Sequence, residues 1–191
     1  MTNFYPLCFI PQYQYRIWGG NKFSSELGRS IQKESIGESW EISTLKGFES
    51  EVAKGGLKGK LLSELIEEFP KEMLGQKVIS QFGENFPLLI KFIDAHKPLS
   101  VQVHPNDAQA QKRHNSFGKN EMWYVLNSDP DAELIVGFNQ ELDQRTYNLL
   151  LEEDRLEEVL NREKVSPGTA CLLYTSPSPR DLSTSRMPSS A

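Results

Sequence analysis

Three side chains that could bind a metal ion stand at short spacings in two segments of the sequence, residues 99–105 and 119–126. The first segment reads LSVQVHP, and the alternation of side chains along a strand places Gln102 and His104 on one face. Glu121 lies in the second segment, KNEMWYVL. If the two segments are neighbouring strands, an amide oxygen, an imidazole and a carboxylate converge, and these donors suit zinc or a similar divalent ion.

Other polar side chains share these two faces. Ser100 alternates onto the face of Gln102 and His104, and Lys119 precedes Glu121 by two residues. Lys119 is therefore placed to act as an acid–base group or as an electrostatic partner within the site. The spacing alone also fits a half-buried strand with a polar face and no metal, so it does not decide between the two interpretations.

Four motifs, taken together, are more specific than the spacing. In chain order they are GESWEIS at 37–43, PLLIKFIDA at 87–95, QVHPND at 102–107 and GKNEMWYVL at 118–126. Over about residues 6–170 the sequence resembles the type I phosphomannose isomerases of the short bacterial type. The resemblance implies a mainly β fold, a cupin-like jelly-roll barrel with small helical insertions. It also implies a zinc enzyme that interconverts mannose 6-phosphate and fructose 6-phosphate.

The resemblance also implies roles for particular residues. Zinc is expected to bind Gln102, His104 and Glu121, together with a further His on the strand after residues 165–168, where this sequence has none. The polar groups expected to bind the sugar phosphate or to assist proton transfer are Lys91, Ser100 and Lys119. Lys91 interrupts the apolar run of residues 87–95, where an unpaired charge would be costly, so it must reach either the surface or a polar cavity.

Three other classes of protein remain open at this stage. A non-catalytic cupin-like sugar-binding or regulatory module would keep the barrel, but the retained Gln102, His104 and Glu121 set argues against it. A metal-dependent oxygenase of this fold usually has His-x-His on one strand, and here the first position is Gln102. A structural or interaction protein without a binding site would not explain why the charged Lys91 interrupts the apolar run of residues 87–95.

The spacing of apolar residues predicts the strands and helices that position the candidate site residues. Strands are predicted at 36–43, 87–95, 99–105, 119–126 and 133–139, and a short N-terminal strand is predicted before the Gly19–Gly20 turn. Helical insertions are predicted at about 57–80 and 140–164. Trp40 is expected to pack in the core and Glu41 to lie at the surface, and His96 and His114 are expected to be solvated.

Composition narrows the class of partner. The chain has 191 residues and a net charge of −5 without a basic run, which argues against nucleic acid, and its apolar runs are too short for a membrane span. Cys8 and Cys171 are far apart, so no disulfide framework is expected, and the default compartment is the cytoplasm. The expected partner is a small sugar phosphate, and the oligomeric state stays open.

The last segment, residues 171–191, differs from the rest of the chain. It is rich in Ser and Pro, as a disordered tail would be. Its opening string, CLLYTSPSPRD, also resembles an in-frame translation of a transposon-type sequencing-library adapter. We therefore expect one catalytic domain over residues 1–170, truncated at its C-terminal end and inactive as it stands, followed by a non-native tail.

Overall fold

The computed structural model describes residues 4–102 and 104–173. The chain divides into two compact units, Met1–Leu99 and Ser100–Ala191, and each has its own sheets and helices. No helix in the described part of the chain is long and apolar enough to cross a membrane. Cys8 and Cys171 both carry free thiols.

The first unit contains an antiparallel sheet with the strand order β1-β2-β3. Its strands are β1 (Gln12–Gly20), β2 (Ile36–Ile42) and β3 (Ile90–Ile93), and a short helix α1 (Lys22–Ser25) follows β1. In the register, Trp40 of β2 lies between Gln12 of β1 and Lys91 of β3. The strands predicted within 36–43 and 87–95 are therefore confirmed, although β3 is shorter than its apolar run.

Close contact between β1 and β2 depends on a glycine. A Cβ atom added to Gly19 would lie 2.4 Å from the backbone nitrogen of Gly37. The ring of Trp18 packs against Gly37, where an added Cβ would be 2.5 Å from the indole. The Trp18–Gly19 pair thus closes the end of the sheet, next to the buried Asp94, whose carboxylate accepts a hydrogen bond from the backbone N–H of Lys22 at 2.7 Å.

The helical insertion predicted near 57–80 forms two helices, α2 (Leu62–Glu68) and α3 (Pro70–Phe82). Proline is tolerated in the first turn of a helix, so Pro70 ends one helix and begins the next. Gly75 has a φ of 75° and breaks the regular geometry of α3. The apolar face of α2 supplies much of the core of this unit, which also contains Val52, and its buried side chains are Leu62, Leu65 and Ile66.

The second unit contains two antiparallel strand pairs. One joins β4 (Glu121–Tyr124) to β7 (Ala170–Leu173), and the other joins β5 (Glu133–Phe138) to β6 (Leu160–Lys164). Its helices are α4 (Asp107–His114) and α5 (Gln144–Glu152), with a 3₁₀ turn at Leu156–Val159. The buried apolar side chains of this unit are Ala110, Tyr147, Leu150, Val159 and Leu160.

Two predictions for this half of the chain are wrong. Described residues between 99 and 105 form no strand, and β4 pairs with β7 instead. Pro98 and Pro105 bracket this segment and cannot donate ladder hydrogen bonds, which disfavours a paired strand despite the alternating pattern. Val103 lies outside the described residues.

The second wrong prediction concerns residues 140–164, of which only part is helical. Asp154, with a φ of 57°, follows α5 in a left-handed conformation that a helix cannot continue through. The chain then leaves the 3₁₀ turn as strand β6. A further element, α4, lies between residues 105 and 119, where the sequence analysis predicted no element.

Candidate functional site

The candidate site centres on the carboxylate of Glu121, at the first position of β4. One carboxylate oxygen, Oε1, lies 2.8 Å from Nζ of Lys119 and 3.4 Å from Nε2 of His104. The Glu121 side chain is only 17% exposed, so these contacts are partly shielded from water. The structure thus brings together His104, Lys119 and Glu121, three of the residues that the sequence predicted for the site.

The separation of His104 and Glu121 fits two ligands of one metal ion. Imidazole nitrogen and carboxylate oxygen bind zinc at about 2.0–2.2 Å, and tetrahedral geometry then places the two donor atoms about 3.4 Å apart. The distance between Nε2 of His104 and Oε1 of Glu121 is 3.4 Å. Nε2 of His104 and Oε1 of Glu121 are therefore already at the separation expected for two ligands of one zinc ion.

The electrostatics of the site favour a charged carboxylate. The pKa of Glu121 is held far below its usual value, chiefly by the hydrogen bond with His104. Partial burial opposes this shift, and the nearby ammonium of Lys119 reinforces it. Glu121 is consequently an anion under ordinary conditions, which is the form that binds a cation.

Trp123 is a member of the site that sequence reasoning missed. Its indole Nε1 donates a hydrogen bond to the other carboxylate oxygen of Glu121, Oε2, at 3.1 Å. Residues two apart on a strand share a face, so the Glu-x-Trp spacing in the sequence was the available signal.

Helix α4 connects the segment carrying His104 to the segment carrying Glu121. The side chain of Asn106 caps its N-terminus by accepting a hydrogen bond from the backbone N–H of Gln109 at 3.0 Å. Asp107 accepts a hydrogen bond from the backbone N–H of Gly118 at 2.8 Å, across the connection. These two contacts fix where the chain enters and leaves α4, and so set the approach of His104 to Glu121.

Gln102 and Ser100 lie apart from this cluster of contacts. Both side chains are solvent-exposed, and the hydrogen bonds and ion pairs that the structure describes around Glu121 do not include them. Across the described residues, no group of three or more His, Cys, Asp or Glu side chains is arranged to hold a metal ion. The sequence-based roles of Gln102 and Ser100 therefore stay predictions. His96 and His114 are exposed, as expected.

Lys91 lies in the first unit, where it is paired with a buried carboxylate. Its Nζ is 2.9 Å from Oε1 of Glu38, whose side chain is only 8% exposed. The other oxygen, Oε2, accepts hydrogen bonds from Nη2 of Arg16 and Nε1 of Trp40, both at 2.9 Å. This pairing explains how a lysine is accommodated in the apolar strand β3.

Opposing effects set the pKa of Glu38. Burial of the carboxylate is the largest effect and raises its pKa. The hydrogen bonds from Trp40 and Lys91, with the charges of Lys91 and Arg16, together outweigh burial and lower the pKa below its usual value. Glu38 is therefore a charged acceptor shared by three strands of one sheet.

Trp40 and Glu41 illustrate the limits of the sequence interpretation. Trp40 packs against Phe48, with ring centroids 5.0 Å apart, but it is half-buried rather than in the core, and its indole also bonds Glu38. Glu41 is not a simple surface residue, because it accepts hydrogen bonds from Arg29 at 2.7 Å and from the buried Ser39 at 2.6 Å. This ion pair was not predicted from the sequence.

Two cavities lie away from these clusters. One, of about 360 Å³, is beside β1 and is lined by Tyr13 and Tyr15. The other, of about 250 Å³, lies between β5, β6 and the start of β7. Neither cavity is lined by the site residues predicted from the sequence. The candidate site is therefore identified from the contacts among its side chains and not from a cavity.

Comparison with known proteins identifies the family to which this fold and this cluster belong. Residues 7–142 match the sequence model of the type I phosphomannose isomerase catalytic domain. The chain belongs to the type I phosphomannose isomerase family.

Individual relatives agree with this assignment. Mannose-6-phosphate isomerase ManA of Bacillus subtilis is 39% identical over 164 residues, which cover 85% of this chain and 50% of ManA. The crystal structure of the mannose 6-phosphate isomerase from Bacillus subtilis superposes with a TM-score of 0.81 at 34% identity, covering 89% of this chain and 52% of that one. The predicted mainly β, cupin-like fold is thereby confirmed. The chain spans about half the length of these relatives.

A second solved structure with a similar fold contains zinc. It is a holo, zinc-bound mannose 6-phosphate isomerase, 18% identical with a TM-score of 0.63, covering 88% of this chain and 64% of that one. At this identity the similarity establishes the shared fold alone.

Proposed function

We propose that the complete protein to which this chain belongs is a zinc-dependent aldose–ketose isomerase acting on mannose 6-phosphate and fructose 6-phosphate. One observation carries the proposal: a single oxygen of Glu121 faces both an imidazole at 3.4 Å and an ammonium at 2.8 Å. The family of the chain and the names of its relatives give this arrangement its chemical context.

His104 and Glu121 are the proposed ligands of the metal, and Gln102 is a weaker third. Their donor types suit zinc, and the spacing of His104 and Glu121 matches two positions of a tetrahedral site. Bound there, zinc would act as a Lewis acid on the sugar carbonyl and the neighbouring hydroxyl oxygen. A zinc-bound relative with this fold supports the choice of metal.

The remaining residues are proposed to handle the proton and the phosphate. After ring opening, isomerisation removes a proton from C2 and delivers one to C1, while a hydroxyl proton passes between O2 and O1. Lys119 Nζ lies 2.8 Å from the proposed ligand Glu121. It is the group that we propose donates or accepts a proton during the isomerisation. Lys91 and Ser100 are proposed to contact the sugar phosphate, on the basis of the family resemblance.

The cellular setting is also part of the proposal. The free thiol of Cys8 and the mixed charge of the chain are consistent with a reaction in the cytoplasm. The oligomeric state is left open.

The test uses the complete open reading frame recovered from the native locus. We expect the purified product to convert mannose 6-phosphate to fructose 6-phosphate, to lose activity with a chelator, and to regain it with zinc. His104→Ala should abolish both turnover and zinc binding. His114→Ala is the matched control, because this imidazole is exposed at the end of α4 and should leave both unchanged.

Two results would redirect the proposal. Bound zinc without turnover would favour a non-catalytic sugar-binding module of the same fold, and unchanged zinc binding in His104→Ala would overturn the ligand assignment.

We also expect residues 1–170 alone to bind zinc weakly, because the described part of the chain offers no third strong ligand. A submicromolar dissociation constant for that piece would contradict this expectation.

A further inference from the structure

We infer that Trp123 is a positioning residue that holds Glu121 so that one carboxylate oxygen, Oε1, is directed at the cation. The inference rests on the proposed function, since it assigns a partner to the proposed ligand. It makes a structural claim of its own: Glu121 binds the metal through one oxygen.

The two oxygens of Glu121 have different partners. Oε2 accepts the hydrogen bond from Trp123 Nε1 at 3.1 Å, and Oε1 faces Lys119 at 2.8 Å and His104 at 3.4 Å. The indole N–H is only a donor, so it orients the carboxylate by holding Oε2 toward Trp123. Oε1 is then the oxygen that faces His104, the other proposed ligand.

One strand carries both the donor and the acceptor. Trp123 and Glu121 are two residues apart on β4, so both side chains leave the same face of the strand. The end of β4 next to Trp123 is held by residues of the expected native domain, because Tyr124 pairs with Ala170 and Val125 exchanges backbone hydrogen bonds with Gly168 and Thr169. The indole N–H is thereby placed beside the carboxylate of Glu121.

The same arrangement occurs independently in the first unit. Trp40 follows Glu38 by two residues on β2, and its Nε1 donates to Oε2 of Glu38 at 2.9 Å. The opposite oxygen, Oε1, binds the ammonium of Lys91 at 2.9 Å. In both units a Glu-x-Trp strand presents one carboxylate oxygen to a side-chain cation, although at Glu38 the held oxygen also receives Arg16.

The experiment measures zinc affinity by competition with a chromophoric chelator, in the complete protein. Trp123→Phe keeps an aromatic ring and removes only the N–H donor. Groups that orient a metal ligand contribute about 10- to 100-fold to metal affinity, so we expect a weakening of that size. Trp40→Phe is the matched control, because it removes the equivalent bond from Glu38 and should leave the zinc dissociation constant unchanged.

A second measurement does not depend on the folding of any variant. The zinc coordination of the wild-type protein, obtained from its crystal structure or X-ray absorption spectrum, should show one Glu121 oxygen at bonding distance. Two bonded oxygens of Glu121 would overturn the inference. Equal zinc affinity of Trp123→Phe and wild type, with affinity lost in His104→Ala, would overturn it as well. If His104→Ala also binds zinc normally, the proposed function fails instead.

Discussion

The carboxylate of Glu38 shows how three neighbours stabilise one buried charge. Arg16, Trp40 and Lys91 come from three different strands, and all donate to this group. Burial alone would favour the neutral acid, but the combined donors reverse that preference. The first sheet is therefore held partly by a charge whose state depends on pH.

Glu38→Gln should destabilise the protein at about pH 7 by roughly 1.5–3 kcal/mol, the range for hydrogen bonds to charged groups. The amide keeps the size of the side chain but removes the charge that Arg16 and Lys91 neutralise. The folded-state pKa of Glu38 lies below the unfolded value, so its stabilisation is complete above the unfolded pKa. That stabilisation is lost as pH falls through the lower, folded-state pKa.

Urea unfolding of wild type and Glu38→Gln at a series of pH values checks this prediction. The difference in unfolding free energy between them should shrink as the pH falls below about 4.3, the ordinary pKa of a glutamate in an unfolded chain, toward the lower folded-state pKa of Glu38. Glu26→Gln is the control, because Glu26 and Lys22 form an exposed pair 3.9 Å apart whose contribution should be small. A difference that does not vary with pH would contradict the assigned cause.

Among the elements, α4 is the one that relates the two halves of the candidate site. Its cap, Asn106, lies two residues from His104, and the contact of Asp107 with Gly118 lies three residues from Glu121. The helix itself is polar, with only Ala110 buried. Its position therefore depends on its end contacts more than on packing.

Asn106→Ala should cost about 1 kcal/mol, the usual effect of losing a helix N-cap. Because the cap fixes the entry to α4, zinc affinity should fall together with stability. Asn106→Asp keeps a side-chain oxygen acceptor and should restore both. Chemical unfolding and chelator competition measure the two effects, and a loss of stability in Asn106→Asp as large as in Asn106→Ala would show that the cap is not the cause.

The contact between β1 and β2 makes a second prediction at this scale. Gly19→Ala should destabilise the protein by about 1–3 kcal/mol or more, because its Cβ would meet the backbone nitrogen of Gly37 at 2.4 Å. Backbone cannot move aside as a side chain can, so the strands must separate. Gly56→Ala is the control, since nothing lies within 4 Å of its added Cβ. Similar melting temperatures for the two variants would refute the prediction.

The hydrophobic pattern of the sequence predicted strands β2, β3 and β5 and helix α2. Burial explains the apolar period of α2, whose Leu62, Leu65 and Ile66 are buried, whereas Ile90 and Ile93 of β3 are exposed. The strand predicted at residues 99–105 is wrong although its side chains alternate between apolar and polar. Pro98 and Pro105 have no backbone N–H to donate to a neighbouring strand. The hydrophobic pattern missed α4 because that helix has almost no apolar face and is marked only by its caps.

The candidate site was predictable in part, for related reasons. His104, Lys119 and Glu121 could be grouped from residue type and spacing, and the structure brings them together. The role of Trp123 was not visible, because a strand tryptophan is most simply explained by packing. The pairing of Lys91 with Glu38 could not be found either, since 53 residues separate them in sequence.

At the scale of the whole molecule, the origin of residues 171–191 affects every conclusion about activity. The chain spans about half the length of the relatives it matches, and its first tail residues are built into β7 opposite β4. Reading the native locus with a single long read tests the adapter proposal. We expect the open reading frame to diverge from this sequence after residue 170. A continuous frame that encodes residues 171–191 would reject that proposal and make the tail native.

The sheets of the second unit also bear on whether residues 1–191 are stable alone. Each described sheet there has only two strands, an arrangement that is marginally stable without further packing. On the pair β4–β7, Met122 and its register partner Leu172 are 68% and 57% exposed, which leaves an apolar surface beside unpaired strand edges.

We therefore expect residues 1–191, expressed alone, to aggregate or to be degraded, whereas the complete open reading frame gives soluble protein under the same conditions. The physical cause is the exposed apolar face of β4–β7, so Met122→Lys with Leu172→Lys should raise the soluble fraction of the short chain. Both substitutions lie on the face opposite Glu121 and Trp123, because side chains alternate along a strand. Size-exclusion chromatography of the lysates measures the outcome. A monodisperse, protease-resistant monomer of residues 1–191 would show that this half of the fold is stable without the rest.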